Sequence, residues 1–259
     1  MGAVIEEPKT IPTVSEERLV YRPIPRWKRA LDIVCVLLFA PLWVPLGILA
    51  AAVIRFVSPG PVFFKQERVG FMGRRFLCYK FRTMKVNADT GVHRGHLQEL
   101  MTSGQPMVKL DSKGDPRLIP GGLILRTLGI DELPQLINVL RGDMSLVGPR
   151  PCIPYEFEHY EPRYKHRCET LPGLTGLWQV NGKNRTTFDQ MIDYDVRYAQ
   201  TKTLLMDVAI LARTPLAIVL QALDVRARRM ASRRVEPART ATPALMPSAA
   251  ASRPIDQRS

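Results

Sequence analysis

The sequence predicts a mainly helical α+β fold: a small membrane-embedded domain with an N-terminal re-entrant helix broken at proline, interfacial amphipathic helices and a short β-hairpin. Three observations predict it. No charge falls for 22 residues between Asp32 and Arg55, and a straight helix of that length is roughly 33 Å, enough for a bilayer core of about 30 Å. Two short runs rich in aromatic and branched residues, VFFKQERVG and RRFLCYKFRTM, follow it around a turn. Helical periodicity then recurs through the second half of the chain.

A chain of 259 residues has room for one main domain with a sizeable core. Lysine and arginine outnumber aspartate and glutamate 37 to 24, a net charge of +13, so an anionic partner is expected: nucleic acid, acidic head groups or phosphorylated substrates. The uncharged segment and the lack of any nucleic-acid motif argue against the first. From Val225 onward eight arginines face only Glu236 and Asp256, among Ala, Ser and Pro. Residues 225–259 therefore read as a disordered basic tail. Cys35, Cys78, Cys152 and Cys168 lie far apart without metal-ligand spacing, as reduced thiols do. His93 and His96 lack further ligands nearby and read as surface residues.

The elements follow in order. Residues 1–24, proline-bearing and mixed in charge, read as a partly disordered leader, without the cleavage pattern of a signal peptide. Residues 25–58 carry the membrane helix. Pro41 and Pro45 each remove a backbone donor and crowd the preceding turn, so the helix breaks there. Both flanks are basic, with Arg22, Arg26, Lys28 and Arg29 before and Arg55, Lys65 and Arg68 after. Positive charge marks the cytoplasmic side, so the segment enters and leaves on one face. A straight span or a buried core helix is the alternative.

Residues 59–222 form the remaining domain. It opens with the hairpin, continues through a polar, irregular stretch at 84–115 with a short helix near 96–101, and reaches GIDELPQLINVLRGDMSLVGPRP. There Leu133, Leu136, Ile137 and Leu140 make one apolar helical face that Gly142 ends. A second helix is expected over 187–202, with Thr187 and Gln190 spaced as a capping box. From 204 an apolar helix with a sparse polar face suits the membrane surface.

Asp131 and Glu132 admit two readings. They can cap the helix that follows, meeting its free amides and dipole, with Pro134 in the first turn. They can also do chemistry. Arg126, Arg150 of GPRP, Lys80 and Arg82 of YKFRTM, and Lys183 and Arg185 of NGKNR sit on stiff turns, as anion ligands do. A carboxylate among cations at a membrane can hold Mg²⁺ against a diphosphate, or attack phosphorus and form an acyl phosphate.

The ordered set KRALD, the apolar run with its inner proline, SPGPVFFKQERVG, YKFRTM, LRTLGIDELPQLINVLRGDMSLVGPRP and LPGLTGLWQVNGKNRTTFDQMIDYDVRYA resembles the bacterial sugar transferases. These are the monotopic polyprenyl-phosphate phosphoglycosyl transferases, and the likeness covers about residues 26–222. The resemblance implies transfer of a hexose 1-phosphate from a UDP-sugar to undecaprenyl phosphate, releasing UMP. This is the first membrane step of exopolysaccharide, capsule or O-antigen synthesis, at the cytoplasmic face of the bacterial inner membrane. It implies that Asp131 is the nucleophile of a covalent phosphosugar intermediate with Mg²⁺, or Mn²⁺, nearby, and that Glu132, the second dyad member, is a metal-linked or proton-handling group. It further implies that Arg126, Arg150 and Lys80 bind phosphate, and that Lys183, Asn184 and Arg185 lie near the nucleotide. Asp195 matches a family position but gains no role. Pro45 matches the helix-breaking proline, preceded here by Val44 where members often carry Ser.

KLDSKGDPRLIPGG and GLWQVNGKNRTTF are more similar to members using glucose or galactose than to those using a UDP-N-acetylhexosamine, which stays the alternative donor. A non-catalytic basic scaffold on acidic lipids is the alternative from another class. No nucleic-acid partner is expected, and a homodimer is left open.

Overall fold

The long apolar run breaks at Phe39. In the computed structural model, which describes residues 19–86, 115–182 and 186–235 with a few isolated positions between 95 and 106, helix α1 (Arg26–Leu38) and helix α2 (Ala40–Val57) meet at that residue. Pro41 falls in the first turn of α2, where its missing N–H costs nothing, so the second helix starts just before it. Pro45 lies inside α2. The break therefore precedes both prolines that were expected to make it, because a proline is tolerated once it opens a new helix. The Trp43 indole donates to the Val36 carbonyl at 2.9 Å, satisfying an acceptor that the break leaves over. Only Ala50 and Ile54 of α2 are buried, against Phe81 and Ile119, while Leu42, Ile48, Leu49 and Phe56 stay exposed.

Strands β1 (Phe63–Val69) and β2 (Arg75–Phe81) form the expected antiparallel hairpin, in register from Phe63↔Phe81 to Val69↔Arg75. Helix α3 (Gly122–Leu128) ends at the left-handed Gly129, and a single 3-10 turn, Ile130–Glu132, leads to helix α4 (Gln135–Arg141), which Gly142 closes. The buried side of α4 is Gln135, Leu136, Asn138 and Val139, whereas Ile137 and Leu140 are exposed. The apolar pattern misplaced this face because Asn138 ties α4 to the hairpin. Its side chain accepts from Tyr79 N at 3.1 Å and donates to Leu77 O at 2.7 Å, which turns it inward.

Strand β3 (Ser145–Val147) pairs in parallel with strand β4 (Gly173–Thr175), and the short helices α5 (Pro154–Glu158) and α6 (Pro162–Lys165) lie between them. Helix α7 (Leu177–Val180) leads towards α8 (Phe188–Thr201), which opens with the expected Thr187–Gln190 capping box. Helix α9 runs over Leu204–Val235. It continues into the segment expected to be a disordered tail because Arg, Ala and Met at 226–231 are good helix formers that extend a helix already nucleated. Among the described residues two helices, Ala40–Val57 and the Leu204–Ala227 part of α9, are long and apolar enough to cross a membrane, with 11 % of each buried.

A buried polar cluster joins these parts. Lys28 of α1 donates to Asp207 of α9 at 2.7 Å, to Tyr198 of α8 at 2.7 Å and to the Val147 carbonyl of β3 at 2.8 Å. Asp32 accepts from Ser145 Oγ at 2.9 Å and Leu146 N at 2.8 Å. Such groups stay inside only because each has partners. The N-terminal helix is thus bolted to the strand that precedes the GPRP loop. The leader before residue 19, the tail beyond 235, His93, His96, most of the helix near 96–101, and Lys183, Asn184 and Arg185 lie outside the described residues.

Candidate active site

Asp131 owes its place to Gly129. A positive φ of 72° reverses the chain after α3, a conformation a side-chain-bearing residue adopts only at a cost. The 3-10 turn that follows buries Asp131, which is 8 % exposed. Both carboxylates fall in the first turn of the 3-10 segment, whose N-cap is Gly129, and α4 starts behind Pro134. Glu132 takes an ion pair from Lys80 of β2 at 2.9 Å. The two carboxylates, adjacent in sequence, diverge in environment.

The GPRP loop is set by close backbone approach. Gly148 N donates to Thr175 O and Gly173 N to Pro149 O, both at 2.8 Å. A Cβ on Gly148 would lie 2.3 Å from Leu171 O, so no larger residue fits. Arg150 follows, and its carbonyl accepts from Arg167 at 2.9 Å. Arg167 is itself buried, donating to Tyr160 Oη at 2.6 Å and pairing with Asp195. Burial opposes its charge, but Tyr160 and Asp195 hold the guanidinium well above its ordinary range. Burial pushes Asp195 up to about 6, with Arg167 pulling the other way, so at pH 7 it is a carboxylate facing a guanidinium. The structure thereby places Asp195, which sequence left without a role, against Arg167 and close enough to Arg150 for that residue's charge and backbone N–H to act on it.

Arg68 of β1 donates to Pro151 O at 3.0 Å and Gln66 Oε1 at 2.7 Å. Burial lowers its pKa from the ordinary value, and the neighbouring Arg150 charge lowers it further. Two guanidiniums crowded in a low-dielectric site repel each other, and an anion between them relieves that cost.

These side chains share one cavity of about 470 Å³, lined by Arg68, Lys80, Arg117, Arg126, Arg150 and Arg167 against Asp131, Glu132 and Glu156. Its size suits a small-molecule ligand, and its excess of cations suits an anionic one. Trp178 Nε1 and Gln179 Oε1, on the same wall, are buried without a protein partner, leaving a donor and an acceptor for a ligand. All four cysteines are free thiols.

Of the residues named from sequence, Lys80, Arg126, Asp131, Glu132 and Arg150 converge here. Arg82 does not: its guanidinium donates to Ser58 Oγ at 3.1 Å, Ser58 O at 2.8 Å and Pro59 O at 2.8 Å, pinning the turn that leaves α2. It stands two residues after Lys80, where strand alternation would put both on one face, but the strand ends at Phe81 and the chain has left the sheet before it. Arg68, Arg117, Arg167, Trp178 and Gln179 were missed as site residues. Arg68 and Lys80 sit on paired strands, a signal that register could have supplied; nothing local marks Arg167.

The sequence profile described as bacterial sugar transferase matches residues 24–221. The exopolysaccharide production protein ExoY of Sinorhizobium fredii is 35% identical over 193 residues, 74% of this chain and 85% of its own length. The UDP-glucose:undecaprenyl-phosphate glucose-1-phosphate transferase of Caulobacter vibrioides is 42% identical over 205 residues, 74% of this chain and 71% of its own. The undecaprenyl-phosphate galactose phosphotransferase of Salmonella typhimurium is 40% identical over 194 residues, 72% of this chain but only 39% of that longer protein.

Proposed function

We propose, because the chain belongs to the bacterial sugar transferase family, that it transfers a hexose 1-phosphate from a UDP-sugar to undecaprenyl phosphate through an aspartyl-phosphosugar intermediate. One observation carries the reading: a buried carboxylate, Asp131, shares a cavity with six cationic side chains among the described residues. A carboxylate held there as a mere cap would have no use for that field.

In the proposed first step an Asp131 oxygen attacks the phosphorus that bears the sugar. The bond from that phosphorus to the bridging oxygen breaks, its electron pair leaves with UMP, and the sugar phosphate stays on the protein as an acyl phosphate. In the second step an oxygen of the lipid phosphate attacks the same phosphorus and the acyl-phosphate bond breaks, freeing Asp131 and giving a lipid diphosphate sugar. Arg126, Arg150, Arg68 and Lys80 neutralise charge on the transferring group, Lys80 while also paired with Glu132. Among the described residues no three His, Cys, Asp or Glu side chains form a metal cage. Mg²⁺ needs none, since one or two carboxylates and substrate phosphates suffice. Asp131 and Glu132 fit that role, and Mn²⁺ suits the same oxygens. The ion, when bound, supplies charge neutralisation for the diphosphate.

Both donor names among the relatives, glucose and galactose, fit a cavity that offers Trp178 and Gln179 to sugar or base; a UDP-N-acetylhexosamine is the alternative donor. The chain is a membrane protein, and its helix break with basic flanks supports a monotopic, re-entrant placement with the site at the cytoplasmic face of the inner membrane. There the lipid phosphate and the soluble nucleotide sugar meet at head-group depth. The test is UMP release from a panel of UDP-sugars with undecaprenyl phosphate and Mg²⁺. Wild-type protein releases UMP, and Asp131→Asn, still folded and membrane-bound, loses activity by about three orders of magnitude or more. A wild type inert across the panel, or an active Asp131→Asn, overturns the proposal.

A further inference from the structure

A second cavity, of about 340 Å³, lies between α3 and the C-terminal part of α9. Its described walls are mostly apolar: Ile124 and Leu128 come from α3, and Val225 and Met230 from α9, with Arg226 the one charged side chain among the described residues. Ile124 is 63% exposed and Met230 53%. Thr127 and Leu128 line both this groove and the catalytic cavity, so the two adjoin the same end of α3. The groove's other wall belongs to the apolar, sparsely buried helix whose Leu216, Leu220 and Leu223 point outward.

We propose that this groove holds the first isoprene units of the polyprenyl acceptor, which rests on the transfer reaction proposed above. That acceptor is one molecule with two incompatible ends. Its phosphate has to reach Asp131 among the cations, where an apolar tail gains nothing. The tail gains about 0.8 kcal/mol for each methylene it keeps out of water. A ligand of this kind needs an apolar path that starts at the wall of the charged cavity and ends among lipid-facing side chains. The α3–α9 groove begins at Thr127 and Leu128 and opens beside the exposed leucines of α9. Its volume takes a few isoprene units, so it selects for the chain next to the phosphate, and the rest of a long chain stays in the bilayer.

Ile124→Trp and Met230→Trp test this, since neither residue lines the catalytic cavity and both are exposed enough for a larger side chain to leave the fold intact. In vesicles of phosphatidylglycerol, each variant is expected to raise the KM for undecaprenyl phosphate about five-fold, the equivalent of one or two displaced methylenes. The UMP burst given by the UDP-sugar without any lipid acceptor keeps its rate and amplitude. An unchanged KM, or a burst damaged in parallel, overturns the groove. A wild type that shows neither burst nor turnover instead removes the transfer reaction itself.

A second arm separates the prenyl chain from ordinary lipid. Met230→Cys in the same vesicles is labelled by a maleimide, counted against the parent chain. Addition of undecaprenyl phosphate is expected to slow labelling about five-fold by filling the groove. Labelling that ignores the prenyl phosphate overturns the proposal and assigns the groove to phospholipid tails.

Discussion

Arg167→Met tests whether a buried ion pair holds the Arg150 loop in place. The guanidinium is 2 % exposed, and its removal deletes a charge partner for Asp195, a bond of 2.6 Å to Tyr160 and one of 2.9 Å to the Arg150 carbonyl. Breaking one side of a buried pair costs about 3–5 kcal/mol. For a chain of this size each kcal/mol lowers Tm by about 2–4 °C, so a fall of roughly 6–20 °C is expected in detergent. The double variant Arg167→Met/Asp195→Leu removes both charges and so leaves no unpaired buried charge, and should recover much of that stability. UMP release separates structure from function. The double variant still lacks the donor to Arg150 O, so it is expected to be stable but to keep only a small part of its kcat/KM. A double variant with wild-type turnover would refute the chain of contacts from Asp195 to Arg150, and a single variant as stable as the parent would refute the buried-pair argument.

The remaining expectations draw on other parts of the molecule. Lys80→Met removes a half-buried pair with Glu132 worth at most about 1 kcal/mol of stability, yet should lower kcat/KM about 100-fold or more if Lys80 acts on the transferring charge; steady-state UMP release decides between the two. Trp43→Phe deletes the indole donor to Val36 O and should cost about 1–3 kcal/mol for an unpaired buried carbonyl, seen as a lower Tm in lipid; an unchanged Tm means water takes its place.

Alkaline unfolding offers a pH test. Burial pushes the Tyr164 hydroxyl up to about 12, and its bond to Asp189 adds to that. With the folded value above the unfolded one of about 10, the stabilisation is complete below pH 10 and lost as pH rises to 12. Tyr164→Phe should flatten the alkaline limb of the urea midpoint over that window, and an unaltered limb would sink the assignment.

Patterns short enough to be read along the chain were legible. The β-hairpin, the Thr187 capping box, the Gly142 stop and the interrupted apolar run follow from local sterics and periodicity, which neighbours in sequence decide among themselves. The exact break did not follow, because a proline states only that no N–H is available, and the chain settled that by starting a new helix ahead of it. The buried face of α4 was misread for a different reason: Asn138 finds its partners on β2, some sixty residues away.

The sequence by itself determined that this chain carries an acidic dyad between stiff basic turns, behind a membrane-seeking helix, because charge, proline and glycine act through their immediate neighbours. Only the tertiary structure decided which cations serve the dyad. Arg82 is spent on a turn while Arg68, Arg117 and Arg167 enter the cavity, since that choice depends on strand pairing and on partners that a buried charge finds far away in the chain.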